Sequence, residues 1–206
     1  MQKAFEHVYA TNEWHYGSGE GSLPRHTRGY VEFLQRFLNN KLIRSVVDMG
    51  CGDWQFSRLL DWTGIDYHGF DVVRSVIETN QRRFAQNHIH FTCYTGNFAE
   101  LPAADLLIAK DVLQHLSYAN IEKFIPHLQR YRFALITNCV HPSKETVNRD
   151  IADGEFRYLD LRKPPFQVQA EEVFSFTNHR PAWLRWLIQV RWRKKVLLVD
   201  NSAHFN

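Results

Sequence analysis

The sequence predicts a doubly wound α/β fold, in which helices cover both faces of a mostly parallel β-sheet. Short apolar runs alternate with segments of helical periodicity between residues 43 and 138, as expected for successive strand–helix–strand units. The apolar run over 132–138 is nearly continuous, which is typical of a central parallel strand. A glycine-containing turn directly follows the first run, and such sheets bind ligands beyond the carboxyl ends of their strands.

The bounds of the elements follow from periodicity and from turn residues. Aromatic and leucine side chains recur every three or four residues over 27–38, which predicts an amphipathic helix. The alternating pattern then predicts, in chain order, strand 43–48, helix 54–61, strand 66–71, helix 73–86, strand 88–94, strand 105–110, helix 118–131 and strand 132–138. After a polar, loop-like stretch over 139–170, two late strands are predicted at 172–177 and 195–200.

Composition narrows the class of protein. A chain of 206 residues suits one domain with a substantial core, and its formal charge of +3 is too small to indicate a polyanionic partner. No apolar stretch approaches the roughly 20 residues that cross a bilayer, and the first residues lack the apolar core of a secretory signal. The three cysteines are odd in number and widely spaced, so we expect a reducing, cytoplasmic location. No His–Cys set has zinc spacing and no oxygen-ligand cluster is evident, so we expect no metal.

The turn after the first strand predicts a nucleoside pocket. It reads Asp48-Met-Gly50-Cys-Gly52, and a second apolar run ends at Asp71 about 20 residues later. Glycines let the backbone approach a ligand, and the later carboxylate can accept hydrogen bonds from ribose hydroxyls. A dinucleotide site needs a third glycine where this chain has Gln55, and Asp53 would repel a pyrophosphate. The spacing therefore disfavours a NAD-dependent oxidoreductase.

These residues resemble the motifs of class I S-adenosylmethionine-dependent methyltransferases. Residues 48–52 match the first motif, and Asp71 matches the acidic end of strand two. Gly96-Asn97-Phe98 resembles the third motif, with Asn for the usual Asp, and the stretch 105–117 resembles the fourth. The resemblance implies a Rossmann-like methyltransferase fold, a mostly parallel seven-stranded sheet that ends in an antiparallel hairpin. We expect a single domain with a lid and helix segment (1–40), a cofactor-binding core (41–138) and an acceptor-side loop with the terminal hairpin (139–206).

The resemblance also implies S-adenosyl-L-methionine as cofactor and S-adenosyl-L-homocysteine as product. The residues that we expect to bind the cofactor are Asp48, Gly50, Cys51, Gly52, Asp71, Val72, Asn97, Phe98 and Arg28. Asp71 is assigned to the ribose, Asn97 and Phe98 to the adenine, and Asp48 to the ammonium group. A guanidinium suits the carboxylate of the cofactor, which favours Arg28, near the start of the first helix. Arg28 follows a glycine-rich loop (17–24), and we expect this N-terminal segment to act as a lid. For three of these residues a purely structural role stays open. Asp48 can cap the turn that follows it, Asn97 can form a turn with Gly96, and Arg28 can be a solvated side chain.

The acceptor side is assigned from residues near the ends of strands four and five. His115 can accept a proton near neutral pH, and Asp111 can orient it or contact the cofactor, which makes both catalytic candidates. Arg157, Tyr158 and Asp160 lie in a loop that can line an acceptor pocket. We expect methyl transfer to oxygen or nitrogen of a small-molecule or glycan-like acceptor. RNA or protein methylation and a non-catalytic binding module remain alternatives.

A tryptophan-rich basic segment precedes the last strand. Over residues 180–195, Trp183, Trp186, Leu187 and Val190 fall on one face of a predicted helix. Three interpretations stay open: packing on the chain's own sheet or on a second copy, weak contact with an anionic membrane surface, or contact with nucleic acid, which is the least favoured.

Overall fold

A computed structural model describes residues 1–177 and 192–205 of the chain. Within these residues, seven strands form one sheet: β1 (Ser45–Met49), β2 (Asp66–Asp71), β3 (Ile89–Cys93), β4 (Ala104–Lys110), β5 (Tyr131–Val140), β6 (Glu171–Thr177) and β7 (Arg193–Asp200). The strand order is β3-β2-β1-β4-β5-β7-β6, with β1 to β5 parallel and β7 antiparallel to both of its neighbours. The predicted mostly parallel sheet with a terminal antiparallel hairpin is confirmed.

Two hydrophobic clusters cover the two faces of the sheet, because successive strand residues point to opposite sides. In β1, Val46 belongs to one cluster and Val47 to the other; Phe133 and Ala134 divide in the same way in β5. Four α-helices are found in the described residues: α1 (Gln2–Thr11), α2 (Pro24–Asn40), α3 (Arg74–Phe84) and α4 (Tyr118–Phe124). Helix α2 packs beside Val46 and Phe133, whereas α1 and α4 contribute to the cluster of Val47.

Three local differences from the sequence-based expectation have physical causes. The predicted helix 54–61 is wrong, and only a 3-10 turn forms at Ser57–Leu59. Trp54 has a left-handed φ of 57°, which an α-helix excludes, and its ring packs in the core at 4% exposure. The predicted helix 118–131 is α-helical only through Phe124 and continues as a 3-10 helix, because Pro126 lacks the amide hydrogen that an α-helix requires. Helix α1 was not predicted.

Candidate active site at the switch point of the sheet

A cleft of about 370 Å³ opens at the carboxyl ends of the parallel strands, where the chain leaves β1 and β4 toward opposite edges of the sheet. Residues 1–22 form its other wall. Seven of the predicted site residues line it, namely Gly50, Cys51, Gly52, Asp71, Val72, Asp111 and His115. The sheet topology therefore brings together residues that lie up to 65 positions apart in sequence.

The glycine turn forms a cradle at one end of the cleft. Gly50 and Gly52 have φ values of 71° and 53°, in the left-handed region that favours glycine. A Cβ atom on Gly50 would overlap the Val112 side chain, and one on Gly52 would overlap the hydroxyl of Ser18. Only glycine therefore fits both positions without displacing a neighbour.

Asp71 faces this cradle from the end of β2. Its Oδ2 accepts a hydrogen bond of 3.0 Å from the Gly52 amide, and its Oδ1 accepts one of 3.0 Å from the Val73 amide. Burial raises the pKa of the Asp71 carboxyl above its usual value, although these amides favour the charged form. Each carboxylate oxygen can accept a further bond, which suits ribose hydroxyls.

The N-terminal segment is tied to the glycine turn by side-chain hydrogen bonds. The Tyr9 hydroxyl lies 2.7 Å from Ser18 Oγ, which also accepts from the Asp53 amide at 3.0 Å. The Gln55 side chain donates to the Tyr16 carbonyl at 2.7 Å. The segment that we predicted to act as a lid therefore lies across the cleft. Movement of this segment on cofactor binding stays a prediction.

Two lysines and one aspartate form a buried charged cluster in the wall of the cleft. Lys110 Nζ lies 2.5 Å from Asp111 Oδ2, and Lys194 Nζ donates to the same oxygen. Both ammonium groups also donate to the Gly21 carbonyl, at 3.3 and 3.4 Å. Burial lowers the pKa of Lys110 to about 8. Burial alone would raise the pKa of Asp111, but the two ammonium groups lower it to about 2.

His115 lines the cleft as a neutral ring, which is a weaker base than a free imidazole because burial disfavours its protonated form. Its Nδ1 lies 2.9 Å from the Glu155 carbonyl oxygen, which can only accept, so the ring proton is at Nδ1 and Nε2 carries the lone pair. The Gln114 amide nitrogen lies 3.3 Å from Nε2. Trp14 packs against the ring with 4.6 Å between centroids. Burial lowers the pKa of His115 to about 4, so the ring is neutral at physiological pH.

The turn that carries His115 is held by a buried arginine. Arg157 is 1% exposed, and its guanidinium donates to the carbonyls of Leu116 and Leu113 at 2.6 and 3.3 Å. These carbonyls lie on either side of His115, so the guanidinium fixes the turn from behind. The sequence predicted that Arg157 lines an acceptor pocket; it lies behind the turn, outside the lining of the cleft, whereas Tyr158 does line it.

Four predicted cofactor residues do not line the cleft. The Asp48 carboxylate is buried and accepts from Tyr67 and Ser57, at 2.6 and 3.1 Å. Asn97 caps a 3-10 turn, and Phe98 packs against Phe124 in the core. The Arg28 side chain is 87% exposed and pairs with Glu32. Their assignments to the ammonium, adenine and carboxylate groups stay predictions.

Sequence reasoning missed Lys110, Lys194 and the cleft-facing residues of α1. A signal for Lys110 was available, because a lysine ends an otherwise apolar strand and directly precedes an aspartate. Lys194 gave no such signal, because it follows a run of basic residues that suggested a solvated surface.

The remaining expectations concern metals, membranes and the basic segment. No group of three or more potential metal ligands occurs within the described ranges 1–177 and 192–205. In the same ranges, no helix has the length and apolarity needed to span a membrane. Residues 180–191, with Trp183, Trp186, Leu187 and Val190, lie outside the described residues. Membrane, dimer and self-packing roles for this segment therefore stay predictions, although Trp192, which follows it, lines the cleft.

Comparisons with known proteins agree with this geometry. The profile of a family described as "Methyltransferase domain" matches residues 46–131, which run from β1 to the start of β5. The chain is similar to magnesium protoporphyrin IX methyltransferase (ChlM) from Synechocystis PCC 6803 with bound SAH, with a TM-score of 0.60, 16% identity and coverage of 96% of this chain and 97% of that chain. A search of curated proteins found no significant match.

Two further solved structures have the same fold. One is the methyltransferase domain of bacterial CtHen1, with a TM-score of 0.56, 14% identity and coverage of 84% of this chain and 99% of that chain. The other is TehB from Haemophilus influenzae, with a TM-score of 0.56, 16% identity and coverage of 82% of this chain and 60% of that chain. The family match over residues 46–131, the sheet order and the motif residues at the switch point together show a methyltransferase domain with a Rossmann-like methyltransferase fold, in an enzyme whose cofactor is S-adenosyl-L-methionine.

Proposed function

We propose that this enzyme transfers a methyl group from S-adenosyl-L-methionine to an oxygen or nitrogen atom of a compact acceptor, a small molecule or a glycan unit. The observation that carries the proposal is the position of a neutral, oriented His115 in the same cleft as the glycine cradle and Asp71. A nucleoside site and a proton acceptor thus share one enclosed space.

The cleft residues fit the adenosyl part of the cofactor. Gly50 and Gly52 line the cleft without side chains, and their left-handed φ values of 71° and 53° set the turn that presents its backbone to the ligand. The Asp71 carboxylate, already fixed by two amides, accepts from the ribose hydroxyls. Cys51 and Val72 provide apolar contacts beside it.

The reaction requires alignment and a destination for one proton. S-adenosylmethionine supplies a methyl group on a positively charged sulfur. His115 Nε2 would accept the proton of an acceptor oxygen or nitrogen that is aligned with the carbon–sulfur bond, and S-adenosylhomocysteine would be the leaving group. The long bond from Gln114 to Nε2, 3.3 Å, is replaced by the bond from the acceptor. The fixed Nδ1–H bond to Glu155 holds the ring in the correct tautomer.

The size and lining of the cleft favour a compact acceptor. Residues 1–22 wall off one side, and Trp14, Phe156 and Tyr158 line the cleft beside His115. Aromatic faces with a few polar groups are typical of sites for small ring-shaped molecules. A base within a duplex or a folded protein chain would need a more open approach.

We also propose a cytoplasmic location and no nucleic-acid partner. The three cysteines, Cys51, Cys93 and Cys139, are free thiols, which a reducing compartment preserves. The small formal charge of +3 supports the absence of a polyanionic partner.

The proposal is tested by measuring S-adenosylhomocysteine formation with a panel of sugars, nucleotide sugars, hydroxylated aromatics and amines, with RNA and protein as parallel substrates. We expect turnover with a compact acceptor, lost in the His115→Gln variant, which still binds S-adenosylhomocysteine. Turnover only on RNA or protein would contradict the acceptor class. Cofactor binding without turnover on any acceptor would indicate the non-catalytic alternative.

A further inference from the structure

A second cavity lies beside the active-site cleft, at the carboxyl end of β5. This basin, of about 770 Å³, is lined by the loop that follows β5 (141–146), by Asp160, Arg162 and Lys163, and by Arg193 and Lys195 of β7. The strand pair Cys139 and Lys194 lines the cleft. The next pair, Val140 and Arg193, lines the basin, because successive strand residues point to opposite faces. The two cavities are therefore back to back at the end of one strand pair.

The basin carries an excess of positive charge. Five cationic side chains line it, namely Lys144, Arg162, Lys163, Arg193 and Lys195. Three of them are paired with carboxylates: Arg162 with Asp160 and Glu172, Lys163 with Glu145, and Lys195 with Glu172. Lys144 and Arg193 form no ion pair with any described residue. Two positive charges of the basin thus lack a counter-charge from the chain.

His141 adds a hydrogen-bond donor to the basin. Its Nδ1 accepts from the amides of Ser143 and Lys144, at 3.2 and 3.0 Å, so the neutral ring carries its proton at Nε2. In the part of the chain that the structure describes, this Nε2 has no hydrogen-bond partner. The His141 amide in turn donates to Thr146 Oγ1 at 3.0 Å, so the loop holds its own shape.

Asn148 ties the two walls of the basin together. Its Nδ2 donates to the carbonyls of Asp160 and Pro164, both at 2.9 Å, and its Oδ1 accepts from the Asp160 amide at 3.0 Å. The Asp160 carboxylate accepts two bonds from the Arg162 guanidinium, at 3.0 and 2.8 Å. The loops that carry the cations are therefore fixed before a ligand binds, which lowers the entropic cost of binding.

A row of rings connects the basin with His115. The rings of His115, Phe156, Tyr158 and His141 follow one another, with centroid distances of 5.8, 5.5 and 5.2 Å. Phe156 and Tyr158 line the cleft, whereas His141 lines the basin. Phe156 is 46% exposed, which leaves its ring available to a ligand. One molecule that extends along these rings can reach both cavities.

We propose that the basin binds a phosphate group of the methyl acceptor, while a ring of the acceptor lies over Phe156 and Tyr158 and the atom to be methylated lies beside His115. A phosphate monoester carries close to two negative charges at neutral pH, which matches the two unpaired cations. The Arg193 guanidinium fits two oxygens of the phosphate, and Lys144 and His141 Nε2 supply further donors. This inference rests on the proposed function and narrows the compact acceptor to a phosphorylated one.

The first test compares methyl acceptors in pairs, each sugar or hydroxylated aromatic with its phosphate ester, by S-adenosylhomocysteine formation. We expect the phosphorylated member to have the higher kcat/KM. Arg193→Met should lower this kcat/KM at least about tenfold, the effect of losing a charge-assisted hydrogen bond, and Arg193→Lys should retain part of it. Arg36→Met, an exposed change on α2 that removes one positive charge away from both cavities, is the matched control and should change nothing.

The second test requires no turnover. The protein saturated with S-adenosylhomocysteine is titrated with pyrophosphate and followed by ¹H–¹⁵N NMR. We expect the amide signals of residues 141–146 and Arg193 to shift, and Arg193→Met and Lys144→Met to weaken binding at least about tenfold. If Arg193→Met does not fold, as judged by its spectrum, Lys144→Met, an exposed change on a loop, decides by the same criterion.

The proposal is overturned if the wild type methylates uncharged acceptors as well as their phosphates, or if it binds no pyrophosphate. It is also overturned if both variants bind pyrophosphate like the wild type. Methylation of RNA alone, lost in the same variants, would assign the basin to a nucleic-acid backbone and overturn it as well. If no acceptor is methylated, the proposed function fails, but pyrophosphate binding that is lost in both variants still supports the basin as a phosphate site.

Discussion

The two ends of the cleft are built differently. The end around Gly50, Gly52 and Asp71 has the carboxylates of Asp71 and Asp53 as its charged groups, and backbone amides of the turns that follow β1 and β2 hold Asp71 in place. The other end, at Lys110, Asp111 and Lys194, consists of buried charges brought together from β4 and β7, 84 positions apart in sequence. The first end depends on backbone shape, and the second depends on charge. Substitutions at the two ends should therefore fail in different ways.

The largest effect is expected from Gly50→Ala. The alanine must adopt a left-handed backbone conformation, and its Cβ atom must displace the Val112 side chain. The glycine turn therefore shifts. We expect S-adenosylhomocysteine affinity to fall at least 100-fold in calorimetry, together with about 1–3 kcal/mol of unfolding free energy in urea. Gly64→Ala is the control, because Gly64 has a φ of 75° but a Cβ there would meet no neighbour within 4 Å. Equal losses of affinity in the two variants would contradict the claim that the glycine turn at Gly50 shapes the cofactor site.

The next largest effect is expected from His115→Gln, which should lower turnover without changing cofactor affinity. Loss of the proton acceptor is expected to lower kcat about 100-fold, within the usual range of general-base catalysis, while S-adenosylhomocysteine affinity stays unchanged. Steady-state kinetics on the identified acceptor provide the measurement. His90→Gln, an exposed change on β3, serves as the control. An unchanged kcat in His115→Gln would contradict the role of His115 as general base. Catalysis would then depend only on the alignment of the acceptor with the methyl group.

Asp71→Asn should weaken the cofactor about tenfold, because the amide keeps the shape of the side chain but one of its two heavy atoms can no longer accept hydrogen bonds. Asp66→Asn, at the exposed start of the same strand, should have no effect. Calorimetry with 5′-methylthioadenosine, which has the adenosyl group but no amino acid, isolates the contribution of the adenosyl group to the binding free energy. If Asp71→Asn loses affinity for S-adenosylhomocysteine but not for methylthioadenosine, the ribose assignment is wrong.

The smallest expected effect is a pH dependence of stability. The pKa of His115 is about 4 in the folded protein and about 6.5 when unfolded, so the unfolded state binds the proton first as pH falls. The stability that the neutral ring contributes is complete above pH 6.5 and declines toward pH 4, by about 1 kcal/mol between pH 6 and 5. Urea unfolding of the wild type and His115→Gln should show this difference. Parallel pH profiles would contradict the buried neutral state.

The positions of Gly50, Gly52 and Asp71, at the end of the cleft that depends on backbone shape, could be predicted from the sequence. Glycines in a short turn and a carboxylate at a strand end are signals within a few residues, and the β1 and β2 apolar runs set their positions. Arg28 was assigned to the carboxylate by chemistry alone, but its place on the outer face of α2 exposes it to solvent. The partnership of Lys110 with Lys194 depends on the antiparallel insertion of β7 beside β5, which no local pattern specifies.

Helix α1 and the turn after β1 also could not be predicted from local sequence patterns. The turn 54–61 has helical periodicity, yet the left-handed Trp54 brings its ring against Phe84 and Phe91 instead. Tertiary packing outweighs local propensity there. Helix α1 is positioned over the cleft by the packing of Phe5 and Tyr9. The residues that they contact lie on strands and loops that are distant in sequence.

The central claim is that the cleft beside Gly50 and Asp71 binds an adenosyl group linked to an amino acid rather than a dinucleotide. Calorimetric titration of the purified protein with S-adenosylhomocysteine and, separately, with NAD measures this directly. We predict saturable one-to-one binding of S-adenosylhomocysteine, weakened at least 100-fold in Gly50→Ala, and no heat with NAD. Binding of NAD with no response to S-adenosylhomocysteine would contradict the claim.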